Sequence, residues 1–296
     1  MLAPSRRFRT YACCAAASLS LAGFRAAPAT TGHAAGTADH FNVGAAHSPQ
    51  LLKQLAGPAT RAGPGRQVPG LAPRAAAKGA ERGVDVAAYQ HPNGAAINWP
   101  RVHASGIGFA AVKTTEGAYY RNPHALADLA HARAAGLSAV AYAFAIPNGN
   151  GASRSPVTQA DYLLRYLGPM SRRVPVMLDI EYNPYGRECY GLTARAMVSW
   201  ISSFNFEVKA KTGRKPILYA PASWWAACTG SSTGFGQRYL WVPDYTTAPR
   251  PLLPAGWKTW SFWQYTSIGT VPGIQDPGHT DLDRANPATP PVLGNQ

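Results

Sequence analysis

Short apolar runs alternate with helical patterns along the chain from about residue 82 onward. Most of these runs are continuous rather than alternating, as expected of strands that are buried on both faces of a sheet. The pattern predicts about eight strands, at residues 84–89, 107–113, 137–145, 174–180, 216–220, 238–242, 259–265 and 280–283.

Three segments between these strands carry Ala with Leu or Met at three- and four-residue spacing, which is typical of helices. They are residues 123–135, 156–167 and 193–212, and a glycine follows each one as a stop. Strands that alternate with helices indicate an α/β fold with a parallel sheet. Because few crossovers are long enough for a full helix, we predict an irregular TIM-like (β/α) barrel with about eight strands and fewer helices. Its site is expected at the carboxyl ends of the strands.

The first 80 residues have a different composition. Three arginines precede an apolar run from about Tyr11 to Phe24, a pattern typical of a secretory signal peptide, which we place at residues 1–27. Residues 28–80 are rich in Ala, Gly, Pro and Thr and predict a flexible pro-segment or linker. The barrel then occupies residues 81–288, and residues 289–296 are expected to form a disordered tail.

The predicted leader implies a secreted protein, extracellular or associated with the cell wall, and a single barrel of this kind is expected to be a monomer. No run approaches the ~20 apolar residues that a membrane span requires. Of 28 basic and 14 acidic residues, nine basic and one acidic lie in residues 1–80, so residues 81–296 keep 19 against 13 and a net charge of +6. This excess favours an anionic cell-wall surface over nucleic acid, for which no motif or dense basic stripe is present.

One apolar run, Val174 to Glu181 (VPVMLDIE), ends in two carboxylates one residue apart. On a strand, Asp179 and Glu181 point to the same side, with β-carbons roughly 6.6 to 7 Å apart. Hydrolysis of a glycosidic bond requires one protonated carboxyl group and at least one ionised carboxylate. A neighbouring acid raises the pKa of its partner and so retains the proton. The pair therefore predicts glycosidase chemistry, with a solvated strand end as the simpler alternative.

Other acids lie on strands that meet in a closed barrel. Asp85 is in the first strand and Asp281 with Asp283 in the last, so Asp85 and Asp281 are expected to lie close together near one mouth. Glu116, after the second strand, is either a supporting acid of the site or a solvated loop residue. Aromatic rings, which suit the faces of sugars, are expected to cluster at the same mouth: Tyr89, Tyr142, Phe144, Tyr219, Trp224, Trp225, Trp241, Tyr245, Trp263 and Tyr265.

Cys189 and Cys228 are the two cysteines beyond the leader. In an oxidising compartment such a pair predicts one disulfide, with two buried thiols as the alternative. Neither cysteine lies in a Cys-x-x-Cys pair and the histidines lack ligand spacing, so no metal and no cofactor is expected. Surface or capping roles are predicted for the histidines that follow the linker: His91, His103, His124, His131 and His279.

Seven motifs in order resemble glycoside hydrolase family 25, the Chalaropsis-type N-acetylmuramidases. The resemblance runs from about residue 83 to residue 287, two thirds of the chain. The motifs are GVDVAAYQ (83–90), INWPRVHASGIGFAAVKTTEG (97–117), AVAYAFA (139–145), VPVMLDIE (174–181), KPILYAPASWW (215–225), LWVPDY (240–245), and WQYTSIGTVPGI followed by TDLD, which ends at residue 283.

This resemblance implies cleavage of the β-1,4 bond between N-acetylmuramic acid and N-acetylglucosamine in peptidoglycan. By position, Glu181 matches the general acid and Asp179 the carboxylate that orients or stabilises. Asp85 matches the acid of the opening strand, and Asp281 the first acid of the closing motif. Retention with attack by the substrate's 2-acetamido group is favoured, and inversion through a water stays open. The expected substrate contacts are Tyr89, Tyr142, Phe144, Tyr219, Trp241, Tyr245, Gln264 and Asp283.

The chain departs from the resemblance at Tyr142-Ala143-Phe144, where relatives commonly carry Tyr-His-Phe, so a ring of the cleft is expected to be missing. Two other functions are considered. One is a barrel that binds the cell wall without turnover. The other is a chitinase-like hexosaminidase, although the D-x-x-D-x-D-x-E run of such enzymes is absent.

Overall fold

The structure, a computed structural model, describes residues 80–148 and 151–288. The predicted signal peptide, the linker up to residue 79 and the predicted tail lie outside the described residues. The strands are β1 (Arg82–Val86), β2 (Ile107–Glu116), β3 (Tyr120–Arg121), β4 (Ser138–Phe144), β5 (Val176–Asp179), β6 (Ile217–Tyr219), β7 (Leu240–Pro243), β8 (Phe262–Gly269) and β9 (Thr280–Ala285). The helices are α1 (Trp99–Ala104), α2 (Ala125–Ala134), α3 (Pro156–Leu167), α4 (Ala194–Thr212) and α5 (Ala222–Thr229).

Eight of these strands form a closed barrel. Their order is β1-β9-β8-β7-β6-β5-β4-β2, and pairing of β1 with β2 closes the ring, while the short β3 is appended to β2 as a hairpin. The prediction of an α/β barrel with about eight strands and fewer helices is confirmed. The sheet is mixed rather than parallel, because β9 runs antiparallel to both β8 and β1. The segment between β8 and β9, all of it within the described range, holds no helix, and a return without a crossover reverses the strand direction.

The three predicted helices are present as α2, α3 and α4. Side chains cap two of them: the Ser155 hydroxyl accepts a hydrogen bond from the Thr158 amide, and Thr193 does the same for Ala196. Gly213 ends α4 in the left-handed conformation, at φ +76°. Helices α1 and α5 were not predicted from the pattern. Helix α1 has six residues, and α5 buries both of its tryptophans, so neither shows an amphipathic period.

The barrel has two separate cores. One lies between the strands and the surrounding helices. The other fills the barrel, where Trp241 stacks on Phe262 at 4.5 Å between ring centroids and meets Phe109 edge-on at 5.6 Å. Gly83 makes room for this plug, since a β-carbon at that position would lie 2.0 Å from the Phe109 ring. Aromatic packing therefore closes one end of the barrel and leaves the polar residues toward the other.

Five of the ten aromatic residues expected at the mouth lie elsewhere, and one of them, Trp241, belongs to the inner core. Trp224 and Trp225 are fully buried on α5, in the outer core. Trp263 and Tyr265 face outward, where both rings contact the Arg284 guanidinium. Strand alternation explains the second pair, because Trp263 and Tyr265 flank the inward residue Gln264. Among the helices in the described ranges, none combines the length and apolar character needed to cross a membrane.

Candidate active site

Five carboxyl groups project into the barrel above its aromatic floor. Asp179 lies two residues beyond Met177 of the inner core, and Asp85 pairs with Ala111 of the same core. Asp85 is also the antiparallel partner of Asp281. Residues directly opposite on one sheet face have β-carbons about 4.5–5.5 Å apart, so the expected meeting of first and last strand is observed. The five residues are Asp85, Asp179, Glu181, Asp281 and Asp283.

These carboxyl groups lie at different depths. Asp283 pairs with Gly83, one layer closer to the floor than the Asp85–Asp281 pair, and it is fully buried. Glu181 lies two residues beyond Asp179, past the end of β5, and with 5% of its surface exposed it is the most exposed of the five. Glu181 is therefore the carboxyl group nearest to the mouth.

Each of the five carboxyl groups has one buried oxygen that lacks a hydrogen-bond partner among the described residues. The atoms are Asp85 Oδ1, Asp179 Oδ1, Glu181 Oε2, Asp281 Oδ1 and Asp283 Oδ2. Buried polar atoms in folded proteins are nearly always paired with protein groups or ordered water. Five unpaired oxygens facing one space indicate a site that receives a polar ligand.

Gln264 connects three of the predicted site residues. Its Oε1 accepts hydrogen bonds from the hydroxyls of Tyr219 at 2.9 Å and Tyr245 at 2.8 Å, and its Nε2 donates to Asp85 Oδ2 at 3.4 Å. The Tyr142 hydroxyl donates to Asp85 as well. This network fixes the Asp85 carboxyl group from two sides.

Two predicted substrate contacts belong to the floor. Trp241 is fully buried, and its Nε1 donates to Asp283 Oδ1 at 2.7 Å. Neither residue has surface that a sugar can touch in this structure. Tyr142 and Phe144 are also buried, whereas Tyr89 and Tyr245 are half-buried. The structure thus separates the predicted contacts into a supporting group and a group nearer the mouth.

A buried ion pair lies beside the carboxyl groups. The Lys113 ammonium contacts Glu116 Oε2 at 2.6 Å and lies 4.8 Å from the centre of the Phe144 ring. The hydroxyls of Tyr119 and Tyr185 both donate to Glu116 Oε1. Glu116 ends strand β2 and is fully buried, so the alternative of a solvated loop residue is wrong.

Sequence reasoning missed Lys113, Tyr119 and Tyr185. A signal for Lys113 was present, because a lysine that interrupts the apolar run IGFAAV and precedes a glutamate by three residues rarely occurs without a partner. Tyr119 and Tyr185 carried no such signal. Each lies in an irregular segment, and only the tertiary structure brings both to Glu116.

Burial raises the pKa of every interior carboxyl group. For Asp85, Asp179 and Asp281 the pKa lies well above the ordinary aspartate value, first because of burial and then because of neighbouring carboxylates. Burial raises the pKa of Glu181 to about 8, and the Lys113 ammonium opposes this shift. Burial also raises the pKa of Asp283 to about 8, against the hydrogen bond from Trp241. A neutral Glu181 is therefore the dominant form at neutral pH.

The predicted disulfide between Cys189 and Cys228 is present, with α-carbons 5.2 Å apart. Tyr190, which follows Cys189 in the chain, has a positive φ of 58°, which is unusual for a residue other than glycine. Its hydroxyl is buried without a hydrogen-bond partner in the described part of the chain. Burial is the main cause that raises the pKa of Tyr190, and the carboxylates of Glu181 and Asp179 are the next largest causes. The disulfide thus anchors a segment that carries a phenol close to Glu181.

The histidines take no part in this cluster. His91, predicted to have a surface or capping role, is instead buried: its Nε2 lies 2.8 Å from Asp128 Oδ2 and its ring stacks on His124 at 3.9 Å. Trp99 Nε1 donates to the other oxygen of Asp128, so the group joins α1 to α2. Across residues 80–148 and 151–288, no three His, Cys, Asp or Glu side chains are placed to share a metal ion.

Comparison with known proteins identifies the family of the chain. The family model described as glycosyl hydrolases family 25 matches residues 84–274, which include Asp85, Asp179 and Glu181. The chain belongs to this family. It is therefore a glycoside hydrolase, and its barrel is the family 25 barrel.

Relatives and solved structures are similar to about two thirds of the chain. The chain is similar to Lysozyme M1 of Streptomyces globisporus, with 39% identity over 209 residues, 69% of this chain and 67% of the relative. It is 33% identical to the N,O-diacetylmuramidase of Chalaropsis sp over 62% of this chain and 86% of that one. Among solved structures, the bacterial lysozyme from Streptomyces coelicolor has a TM-score of 0.64 and 38% identity, covering 71% of this chain and 94% of that chain.

Replacement of Asp283 by asparagine is expected to stabilise the protein at pH 8. The pKa of Asp283 rises from its ordinary value of 3.8 to about 8 on folding. When folding raises the pKa of an acid, the folded state has its full stability below the pKa of the unfolded chain. That stability is lost as the pH rises toward the pKa of the folded protein. The amide oxygen of the introduced asparagine still accepts from Trp241, and the amide does not ionise.

We expect the Asp283→Asn melting temperature to exceed that of the unchanged chain by about 2–8 °C at pH 8, from a gain of about 1–2 kcal/mol. The difference should shrink toward pH 5. Calorimetry at both pH values checks this, with Glu188→Gln as the control, because the Glu188 side chain is exposed. An equal gain at both pH values would contradict the assignment of the effect to ionisation.

Proposed function

We propose that the protein hydrolyses the β-1,4 bond between N-acetylmuramic acid and N-acetylglucosamine in peptidoglycan, with Glu181 as general acid. The position of Glu181 carries the proposal: it is the carboxyl group nearest the mouth, one of its oxygens has no partner in the described chain, and burial raises its pKa to about 8. General acid catalysis requires a group of this kind within reach of the leaving oxygen.

The proposed reaction has two steps. Glu181 donates its proton to the glycosidic oxygen while the carbonyl oxygen of the substrate's 2-acetamido group bonds to the anomeric carbon and the bond to the leaving oxygen breaks. Water then attacks the anomeric carbon, gives a proton to the Glu181 carboxylate and reopens the cyclic intermediate. Two inversions at one carbon retain the configuration.

The interior aspartates would support the acetamido group. The cyclic intermediate carries positive charge, so Asp179 or Asp281 would stabilise it by accepting a hydrogen bond from the acetamido N–H, and the developing charge itself favours the ionised form of that carboxyl group. Asp85 is held by Gln264 and Tyr142, which suits a carboxyl group that orients its neighbour Asp281. Inversion through a water held by one of these aspartates is the alternative outcome.

Three tyrosines at the mouth would contact the sugars. Tyr119 and Tyr185 are 44% and 46% exposed, and Glu116 fixes both rings through their hydroxyls. Tyr89 is half-buried and close enough to Tyr185 to affect its pKa. Flat rings with a polar edge suit the apolar faces of pyranoses. The unpaired hydroxyl of Tyr190 provides a further donor on the Glu181 side.

Export belongs to the same proposal. The basic and apolar leader at residues 1–27 supports secretion, and the net charge of +6 over residues 81–296 supports retention on an anionic wall.

The Glu181→Gln variant is expected to lose at least about 1,000-fold in wall-clearing rate, because the amide has no proton to donate. Turbidity of purified cell walls and release of reducing ends measure this. Glu188→Gln removes an exposed carboxyl group seven residues further along and should clear walls at the unchanged rate.

The two other candidate functions give different results in this experiment. A barrel that binds without turnover would retain walls yet release no reducing ends, with or without Glu181. A hexosaminidase of the chitinase type would release fragments that end in N-acetylglucosamine rather than N-acetylmuramic acid, which mass spectrometry distinguishes.

The configuration of the product tests the participation of the acetamido group. Retention predicts that the first product formed is the β-anomer, before mutarotation. Proton NMR of a soluble peptidoglycan oligomer during the first minutes of cleavage measures the anomer ratio. An initial excess of the α-anomer would instead establish inversion and an aspartate-activated water.

Lys113→Met is expected to move both limbs of the pH–rate profile to higher pH. The Lys113 ammonium lowers the pKa of Asp85, Asp179 and Glu181. Without it, Glu181 holds its proton to a higher pH and the aspartates ionise later. Lys113→Arg keeps the charge and should leave the limbs in place. Because Lys113→Met also removes the partner of Glu116, the double variant Lys113→Met with Glu116→Gln is measured as well. If the limbs of the pH–rate profile stay in place in both variants, Lys113 does not set the pKa values of the interior carboxyl groups.

A further inference from the structure

A cavity lies on the outside of the barrel, against α4 and the segment that precedes β7. Its volume is about 340 Å³, toward the lower end of the range of about 300–1,000 Å³ for small-molecule sites. Lys215 and Arg238 line it and come just before β6 and β7. The interior carboxyl groups lie toward the opposite ends of the parallel strands, so this cavity is separate from the catalytic pocket.

The cavity is cationic. Lys209, Lys215 and Arg238 line it, and none of its described lining residues is acidic. Three positive charges around one concave surface attract an anion and disfavour a neutral ligand, which would leave them uncompensated. Phe206 also lines the cavity and is 72% exposed, which adds an apolar surface at the rim.

Three polar atoms of the cavity residues lack partners within the described chain. Asn205 is only 1% exposed, and neither its Nδ2 nor its Oδ1 makes a hydrogen bond. The buried Nη1 of Arg238 is likewise unpaired. A buried amide that satisfies neither its donor nor its acceptor destabilises the folded state. Its presence in the lining of a cationic cavity is accounted for if a ligand reaches it.

We propose that this cavity binds an acidic amide, a carboxylate next to a secondary amide, as found in the peptide and muramic acid parts of peptidoglycan. The identity of the ligand rests on the proposed function. A peptide group or acetamido group offers both a carbonyl for Asn205 Nδ2 and an N–H for Asn205 Oδ1. A carboxylate matches the Arg238 guanidinium. The cavity would bind uncleaved peptidoglycan next to the glycan strand that is being cut.

Two other wall components fit less well. A glycerol phosphate polymer satisfies the cations, but its phosphate oxygens only accept hydrogen bonds and its donors are glycerol hydroxyls, so it lacks the adjoining carbonyl and N–H that pair with both atoms of the Asn205 amide. A neutral amino-sugar oligomer offers donors and acceptors but no negative charge for Arg238 and the two lysines. The acidic amide is the class that satisfies the amide and the cations together.

The test uses the Glu181→Gln chain, so that the probe is not cleaved. Muramyl dipeptide is titrated by calorimetry against this chain and against the same chain with Asn205→Leu or Arg238→Gln added. We expect each added substitution to weaken binding at least 10-fold. Arg172→Gln, which removes an exposed arginine away from the cavity, should leave binding unchanged. N-acetylmuramic acid and alanyl-isoglutamine, titrated separately, show which part of the probe is recognised.

Stability separates a binding role from a folding role. Because the Asn205 amide has no partner in the described chain, Asn205→Leu should leave the melting temperature equal or higher while it weakens binding of the probe. A lower melting temperature with unchanged probe binding would overturn the proposal. So would equal binding of a neutral chito-oligosaccharide or of a glycerol phosphate polymer. If Asn205→Leu does not fold, Arg238→Gln decides alone, and unchanged binding there overturns the proposal.

Failure of this proposal is distinguishable from failure of the proposed function. Cleavage of peptidoglycan by the chain with Glu181 intact is measured in parallel. If the chain does not cleave peptidoglycan but binds the probe in a way that depends on Arg238, only the proposed muramidase function is contradicted. If the chain cleaves peptidoglycan normally and probe binding does not depend on Asn205 or Arg238, only the proposed ligand site in the cavity is contradicted.

Discussion

The site depends on an electrostatic constraint: within the described chain, five carboxyl groups share the interior of one barrel with a lysine ammonium that is already paired with Glu116. Their charges cannot all be present at once in a space so poorly solvated. Some of the groups must keep protons at neutral pH, and burial ensures this by raising each pKa. The raised pKa of Glu181 is thus a consequence of burial and not of one special contact.

The direction of the last strand arranges these groups by depth. Because β9 runs antiparallel to β1, its first acid, Asp281, lies toward the mouth and its second, Asp283, toward the floor. On the parallel strand β5 the order along the chain is reversed, and Glu181 lies beyond Asp179. The mixed topology therefore gives an outer glutamate, a middle layer of aspartates and an inner carboxyl group that Trp241 holds. Gln264 and its tyrosines connect these layers.

Much of this arrangement was predictable from the sequence. The apolar runs predicted the strands, the glycine stops predicted the ends of three helices, and barrel closure predicted that Asp85 meets Asp281. The antiparallel strand was not predicted, because periodicity carries no direction. The floor position of Trp241 and the outward position of Trp263 depend on strand register, which composition does not reveal.

The remaining misses have a common cause. Lys113, Tyr119 and Tyr185 acquire their roles only when Glu116 is buried among them. Asn205 lies on the buried face of α4, between Ile201 and Val208, and the sequence does not reveal that its amide has no partner in the described chain. Such positions are determined by contacts distant in sequence, where propensity and spacing give no information.

The seam between β1 and β9 joins the start of the barrel to its end, and two of the interior acids face each other across it. The pocket is consequently incomplete until the final strand has docked. A nascent chain that has folded every element up to β8 still lacks Asp281 and Asp283, as well as one wall of the cylinder. The complete set of interior acids is therefore assembled in a single late event, so a partly synthesised chain does not yet present that set to a sugar polymer.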